Sequence, residues 1–183
     1  MSFNGVSGIN NFLNAETQGL EEAFGGELFG IKNYMKATKE YWKHMKGMLT
    51  DLSSGRAPKD KVSLLVKHFG LFDRNTISLR ASGMMRHSLS DIAHWPNTIG
   101  EHHSQVRLLL AALMQREALD ENGKSLGSLY DYLSFDADGN LIVADGVANF
   151  SEADQIEFAT AIRTTIMETA GNYDSRMKAL ANQ

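Results

Sequence analysis

The sequence has no cysteine, only two prolines and no long hydrophobic run, and each absence narrows what the chain can be. Without cysteine there is no disulfide framework, no thiol nucleophile and no cysteine-based zinc site, and the composition fits a reducing compartment. With proline confined to Pro58 and Pro96, long helices are permitted almost everywhere else. No stretch of about 18 apolar residues occurs, so no membrane span is expected. The opening residues, MSFNGVSGINNFLNAE, lack the basic and apolar regions of a signal peptide, so secretion by that route is not expected. Catalytic signatures are missing too. There is no H-E-x-x-H or E-x-x-H run, no G-x-S-x-G elbow and no Gly-rich phosphate loop.

What is present is an ordinary globular composition. The chain has 183 residues, 43% of them hydrophobic, enough for one domain with a core of its own. The net charge of −4 conceals an asymmetry. Residues 27–116 carry 14 Lys+Arg against 7 Asp+Glu, whereas residues 117–183 carry 4 against 12. Opposite halves can attract each other within a fold, or offer a basic face to nucleic acid and an acidic face to something else.

Hydrophobic periodicity organises the chain. Residues 1–25, rich in Gly, Asn and Ser, read as a flexible N-terminal arm. From Glu27 to Ser54, Leu28, Ile31, Met35, Thr38, Trp42, Met45, Leu49 and Leu52 recur at steps of three and four, which predicts one stripe of a long helix. Lys32, Lys36, Lys39, Lys43 and Lys46 form a second stripe beside it. Pro58 suits the first turn of the next helix, with Val62, Leu65, Val66 and Phe69 as its apolar face. A third helix is expected over 75–95, stopped by Pro96. Thr98 and Glu101 read as a capping box for a helix to about Ala118, with Val106, Leu109, Leu110 and Leu113 buried.

Beyond it, Asp120 to Gly127 is a polar turn, and Leu129 to Leu133 is a helical turn or a strand. Apolar residues then flank Asp136-Ala137-Asp138-Gly139-Asn140, the signal of a small β-hairpin near 133–144. Ser151 to Asp154 caps a final helix to about Leu180, with Ala159, Ile162, Ile166, Ala170, Tyr173, Met177 and Leu180 along one face.

Three constellations deserve a chemical reading. His94, Glu101 and His102 are candidate metal ligands, yet a proline separates them and His102 adjoins His103, so their side chains diverge; no metal or other cofactor is expected. The aspartates at 136 and 138 fail as an EF-hand, because Leu141 and Val147 stand where Gly and Glu are required, and a turn explains them. The five-lysine stripe, with Tyr34, Tyr41 and Trp42 nearby, is the candidate nucleic-acid surface. It contains no arginine, the side chain suited to bidentate phosphate contacts. Alternatively Trp42 is core and the lysines are a solvated flank. The seam of Leu28, Ile31, Met35, Trp42, Met45 and Leu49 is an equally good signal for a partner helix.

Residues 100–132, GEHHSQVRLLLAALMQREALDENGKSLGSLYDY, and 135–158, FDADGNLIVADGVANFSEADQIEF, carry a connected pattern. It consists of a G-E-H-x-x-Q helix start, an apolar L-L-A-x-L helix, a polar turn before L-Y-D, a D-G-N-L hairpin and an acid-capped final helix. This order resembles a stretch of the giant virion proteins of crAss-like and related tailed phages, which include packaged RNA polymerases and cargo proteins ejected with the DNA. The resemblance spans roughly residues 60–180. Those polymerases use three aspartates around a glycine, whereas the run at 136–140 has two, so catalysis is not carried over.

The resemblance implies a helical, non-catalytic region of a virion-associated protein, in the virion interior or host cytoplasm. Its partners would be other virion proteins or the rest of a larger polypeptide, with oligomers allowed. The expected fold is mainly α, an irregular bundle of about five helices with one small β-hairpin, formed by a single domain over 26–183. The helices over 27–54 and 151–180 are expected to pack on each other or on a partner.

Overall fold

A computed structural model describes residues 29–54, 57–71 and 103–181, with side chains at all of these except 49, 52–54 and 167–181. The described chain is mainly α. It comprises α1 (Ile31–Ser54), α2 (Lys61–His68), α3 (103–115), β1 (Glu117–Leu119), β2 (Ser125–Ser128), a 3-10 turn (Leu129–Tyr132), β3 (Leu133–Phe135), β4 (Leu141–Val143) and α4 (Glu152–Ala181). The described residues thus hold four α-helices and two antiparallel hairpins, β1–β2 and β3–β4, rather than five helices and one hairpin. The N-terminal arm, the helix expected over 75–95 and the Thr98–Glu101 capping box lie outside the described residues. No helix among the described residues is long and apolar enough to cross a membrane.

The core is organised around α3. The expected buried positions Val106, Leu109, Leu110 and Leu113 are all fully enclosed, but so are Leu108, Ala111 and Ala112 on the other sides. A helix apolar all round has to lie inside, with other elements stacked on it. Helix α1 runs antiparallel along it. Tyr41 meets His103 at 4.6 Å between ring centroids, the Arg107 guanidinium lies 4.3 Å over the Tyr34 ring, and Gln115 Oε1 accepts from Gly30 N at 3.1 Å and Asn33 Nδ2 at 2.8 Å.

These contacts correct the reading of α1. Its core face is Tyr34, Ala37, Tyr41 and Met48, joined by Phe29 stacked on Tyr34. The expected apolar stripe is turned away: Ile31 is 43% exposed, Met35 61% and Trp42 52%, with Met45 half-buried. Periodicity finds both faces equally well, because Tyr34, Ala37, Tyr41 and Met48 also recur at helical spacing. Ring area and close approach to α3 decide between them, and two tyrosines bury more surface than the Ile and Met they displace.

Helix α2 and its C-cap bury Val62, Leu65, Val66 and Phe69, as the pattern predicts, and Leu64 as well. Its cap is Asp60, whose Oδ1 accepts from Val62 N and Ser63 N, so Pro58 lies before the helix rather than inside its first turn. The first turns of α4 cover the end of α2. Phe158 packs edge-on against Phe69 and Phe150, and Arg163 donates to Phe69 O at 2.9 Å, placing a cation where α2 exposes its last carbonyls. The Ser151 box that opens α4 forms as expected, with Ser151 N donating to Asp154 Oδ2 at 2.9 Å.

Helix α3 ends at residue 115, short of Ala118, because Glu117–Leu119 pairs with Ser125–Ser128 instead. Asn149 fixes that outcome. Its side chain accepts from Leu119 N at 2.9 Å and donates to Glu117 O at 2.8 Å, replacing the partners that another helical turn would supply. The two hairpin turns share one chemistry sixteen residues apart. Asp120 and Asp136 each place Oδ1 on the N–H groups two and four residues ahead. Each is followed three residues on by a glycine at positive φ, Gly123 at 78° and Gly139 at 84°, where a side chain would be strained.

The orientation of α1 predicts an asymmetry. Leu109→Ala, on α3, is expected to cost about 2–5 kcal/mol in urea unfolding. Met35→Ala, on the outward stripe of α1, changes stability by less than about 0.5 kcal/mol. A loss at Met35 matching that at Leu109 would mean that α1 is turned the other way.

Candidate functional site

Two places on the described chain concentrate chemistry: a partly buried polar cluster between α1 and α2, and the outward face of α1. The cluster grows from Glu40 and His44, one turn apart on α1 and therefore on one face. His44 Nδ1 lies 2.7 Å from Asp60 Oδ2 and its Nε2 lies 3.1 Å from Glu40 Oε1. Glu40 Oε1 also accepts from Lys43 Nζ at 3.0 Å and from the Tyr130 hydroxyl at 3.1 Å. Lys61 Nζ donates to Tyr130 O at 2.9 Å and sits 4.1 Å over the Tyr130 ring. Asp51 Oδ2 takes the N–H groups of Lys59 and Asp60, which orients the capping loop.

The electrostatics follow from this geometry. Partial burial would raise the Glu40 carboxyl, but hydrogen bonds from Lys43 and Tyr130 outweigh it and hold the group below its ordinary 4.5. Burial, reinforced by the Glu40 charge, pushes the Tyr130 hydroxyl well above its ordinary value, so it remains a donor. Burial lowers the Lys61 ammonium, opposed by Asp131 and Glu40. Both ring nitrogens of His44 face carboxylates, so neither is left to take a proton from a substrate. The cluster therefore acts as a clamp that ties α1, the α2 cap and the 3-10 turn.

Gly47 shows how tightly the clamp is set: a Cβ there would come within 2.6 Å of Asp60 Oδ2. The histidines at 94, 102 and 103 stand out in the sequence, and His44 does not. The one legible signal was Glu40 and His44 four residues apart on a predicted helix, but nothing local announces that Asp60 and Tyr130 converge on them.

The outward face carries the residues singled out from the sequence. Lys32, Lys36, Lys39, Lys43 and Lys46 are all exposed. Lys43 pairs with Glu40, and the other four make no ion pair among the described residues. Ile31, Met35 and Trp42 run beside them, between the lysines and the core face. Trp42 is steadied on one side by Tyr41 at 5.6 Å and His103 at 5.5 Å between ring centroids. Met45 is half-buried; Leu28 and the Leu49 side chain lie outside the described residues. The structure thus brings the seam and the stripe together as one mixed apolar and basic face. Beneath it, burial raises the Tyr41 hydroxyl to about 12 despite the opposing charge of Arg107.

The chain matches no protein-family model, no curated protein and no solved structure at a significant level. The functional reading therefore stands on the residues themselves.

The candidate metal ligands His94, Glu101 and His102 lie outside the described residues, and no group of three metal-binding side chains occurs among the described ones. Asp136 spends its carboxylate on the turn: Asn140 donates side-chain and backbone N–H groups at 2.8 Å each, which holds the carboxyl below its ordinary range.

Two predictions test the clamp. In a helix interior Gly→Ala normally stabilises by up to about 1 kcal/mol. Gly47→Ala is expected to destabilise instead, and to become stabilising once Asp60→Gly has removed the obstructing side chain, whose Cβ alone would lie 3.1 Å from the new one; urea melts of the four proteins read the sign. For pH, a carboxyl held low adds stability above its ordinary value that is lost as the pH falls through the lowered one. The advantage of wild type over Glu40→Gln should be full above pH 4.5 and shrink below it. A difference independent of pH from 3 to 7 would show that Glu40 is not anchored as a carboxylate.

Proposed function

We propose that this chain is a non-catalytic helical interaction module of a tailed-phage virion-associated protein, using the outward face of α1 to bind protein. The observation that carries the reading is the mixed face itself. Three large apolar side chains are exposed on a helix whose Tyr34 and Tyr41 face is locked into the core. Monomeric surfaces tolerate scattered apolar residues, but a row of them rimmed by charge marks an interaction surface. The polar cluster supports the same reading, since its groups are committed to holding elements together. The virion setting rests on the resemblance of residues 100–158, whereas the further helix over 75–95 of an irregular bundle rests on periodicity and the stop at Pro96.

A second reading has its own observation. Five exposed lysines along 32–46 span about 21 Å at 1.5 Å per residue, a length that can follow a nucleic-acid backbone. Trp42 is available for stacking at its edge. The absence of arginine from the stripe and the apolar residues beside it favour a protein partner.

In particles purified from the phage that encodes the sequence, mass spectrometry should recover the chain. Backbone amides of 31–46 should exchange more slowly there than in the free chain. A chain recovered only from infected-cell lysate would overturn the virion reading. In filter binding to an oligonucleotide, affinity that falls linearly with log salt would favour the second reading, because each phosphate contact releases counterions. Indifference to salt would dispose of it.

A further inference from the structure

Among the described residues, the opposite charges of the two halves are hardly paired with each other. Among the described residues, Arg116 to Asp154 at 3.4 Å is the one salt bridge between the basic and acidic halves. The stripe lysines at 32, 36, 39 and 46 form none. On the acidic side, Glu117, Glu121, Asp138, Asp145, Glu152 and Glu157 are exposed and equally form no salt bridge among the described residues. The exposed large apolar side chains divide the same way. Ile31, Met35 and Trp42 lie beside the lysines, whereas Ile142 (44%) and Ile156 (63%) lie among the acids.

Ile156 is the sharper case. It projects from the second turn of α4, with Glu152 one turn before it and Glu157 next to it, while the core side of that helix is taken by Phe158 and Ile162. One chain thus presents an apolar row flanked by cations on α1, and an apolar knob flanked by anions on α4.

We infer that the outward face of α1 binds the Ile156 face of α4 of a second copy of this chain. This rests on the reading of α1 as a protein-binding face and names its occupant. The apolar groups of each surface would leave water together, and Lys36 and Lys39 would meet Glu152 and Glu157 of the other copy. The two surfaces differ, so the contact is heterologous: the dimer keeps one unused surface of each kind, one on each copy, and association continues past the dimer to a ring or a chain of copies. Opposed charges at the rim set partner choice and encounter rate, so assembly weakens as salt shortens the reach of the charges.

The test uses charge reversal on the full chain, followed by sedimentation velocity. Wild type should exceed the dimer mass with rising concentration up to about 200 µM, where even micromolar contacts are populated. Lys36→Glu with Lys39→Glu sets acids against Glu152 and Glu157, and Glu152→Lys with Glu157→Lys sets bases against Lys36 and Lys39, so each double variant alone should stay monomeric. An equimolar mixture restores two opposite-sign contacts and should associate again, which a merely misfolded variant cannot do. Matching circular dichroism melts confirm that both variants fold, and Ile156→Asp, which leaves the lysines intact, should also abolish association.

Three results overturn the inference: wild type monomeric throughout, a mixture that remains monomeric, or association that ignores all the substitutions. A monomer whose 31–46 amides are still protected in particles sinks self-association and leaves the interaction module standing. A monomer with no such protection sinks both. A monomer whose oligonucleotide binding falls at least tenfold in the Lys36, Lys39 variant gives the face to nucleic acid instead.

Discussion

Burial of α3 on every side is the constraint from which the rest of the structure follows. Seven apolar residues between 106 and 113 leave no polar face to turn to water, so each flank of the helix requires a neighbour. Helix α1 supplies one through its tyrosines. The Arg107 guanidinium lies on the Tyr34 ring and 3.4 Å from the ring nitrogens of His103, so this buried cation is shared between the two helices. That stack fixes the rotation of α1 about its own axis. Once Tyr34 and Tyr41 face inward, Ile31, Met35 and Trp42 must face outward, because they sit roughly a quarter turn away. The exposed apolar row is a consequence of how the core is filled.

The polar cluster makes that rotation hard to change. His44 joins Glu40 to Asp60, Asp60 caps α2, and Tyr130 reaches in from the 3-10 turn. Rolling α1 to bury Trp42 would swing Glu40 and His44 away from these partners and leave several half-buried polar groups unpaired, each costing about 1–3 kcal/mol. The apolar row is therefore held in water by a polar clamp on the other side of the same helix, an arrangement suited to a preorganised contact surface. A surface that is already in place spends little of its binding energy on ordering itself.

The hairpin region does a different job with little regular structure. Two three- or four-residue strand pairs would be marginal alone, but Asn149, Arg116 and Ala148 stitch the segment before α4 onto β1 and the end of α3. Repeating the aspartate–glycine turn at 120 and 136 satisfies the loop backbone from within and leaves the surrounding acids exposed. The conspicuous aspartates of this stretch, Asp120 and Asp136, are structural turn residues.

The sequence by itself determined much of the scaffold: a mainly helical chain, α2 with its apolar face, the buried positions of α3, the Ser151 cap of α4, and the hairpin around Gly139. These depend on spacing and on turn or cap chemistry within a few residues, which is local information. The β1–β2 hairpin was missed because it requires Asn149, thirty residues away, to take over the hydrogen bonds that would have continued α3. The clamp was missed for the same reason, since Glu40, His44, Asp60 and Tyr130 are scattered along ninety residues. Which face of α1 points inward was also beyond local reading. Two apolar stripes share one helical period, and only contact with Arg107 and His103 on a neighbouring helix chooses between them. Tertiary structure alone therefore decided that Trp42 and the lysines form one exposed face.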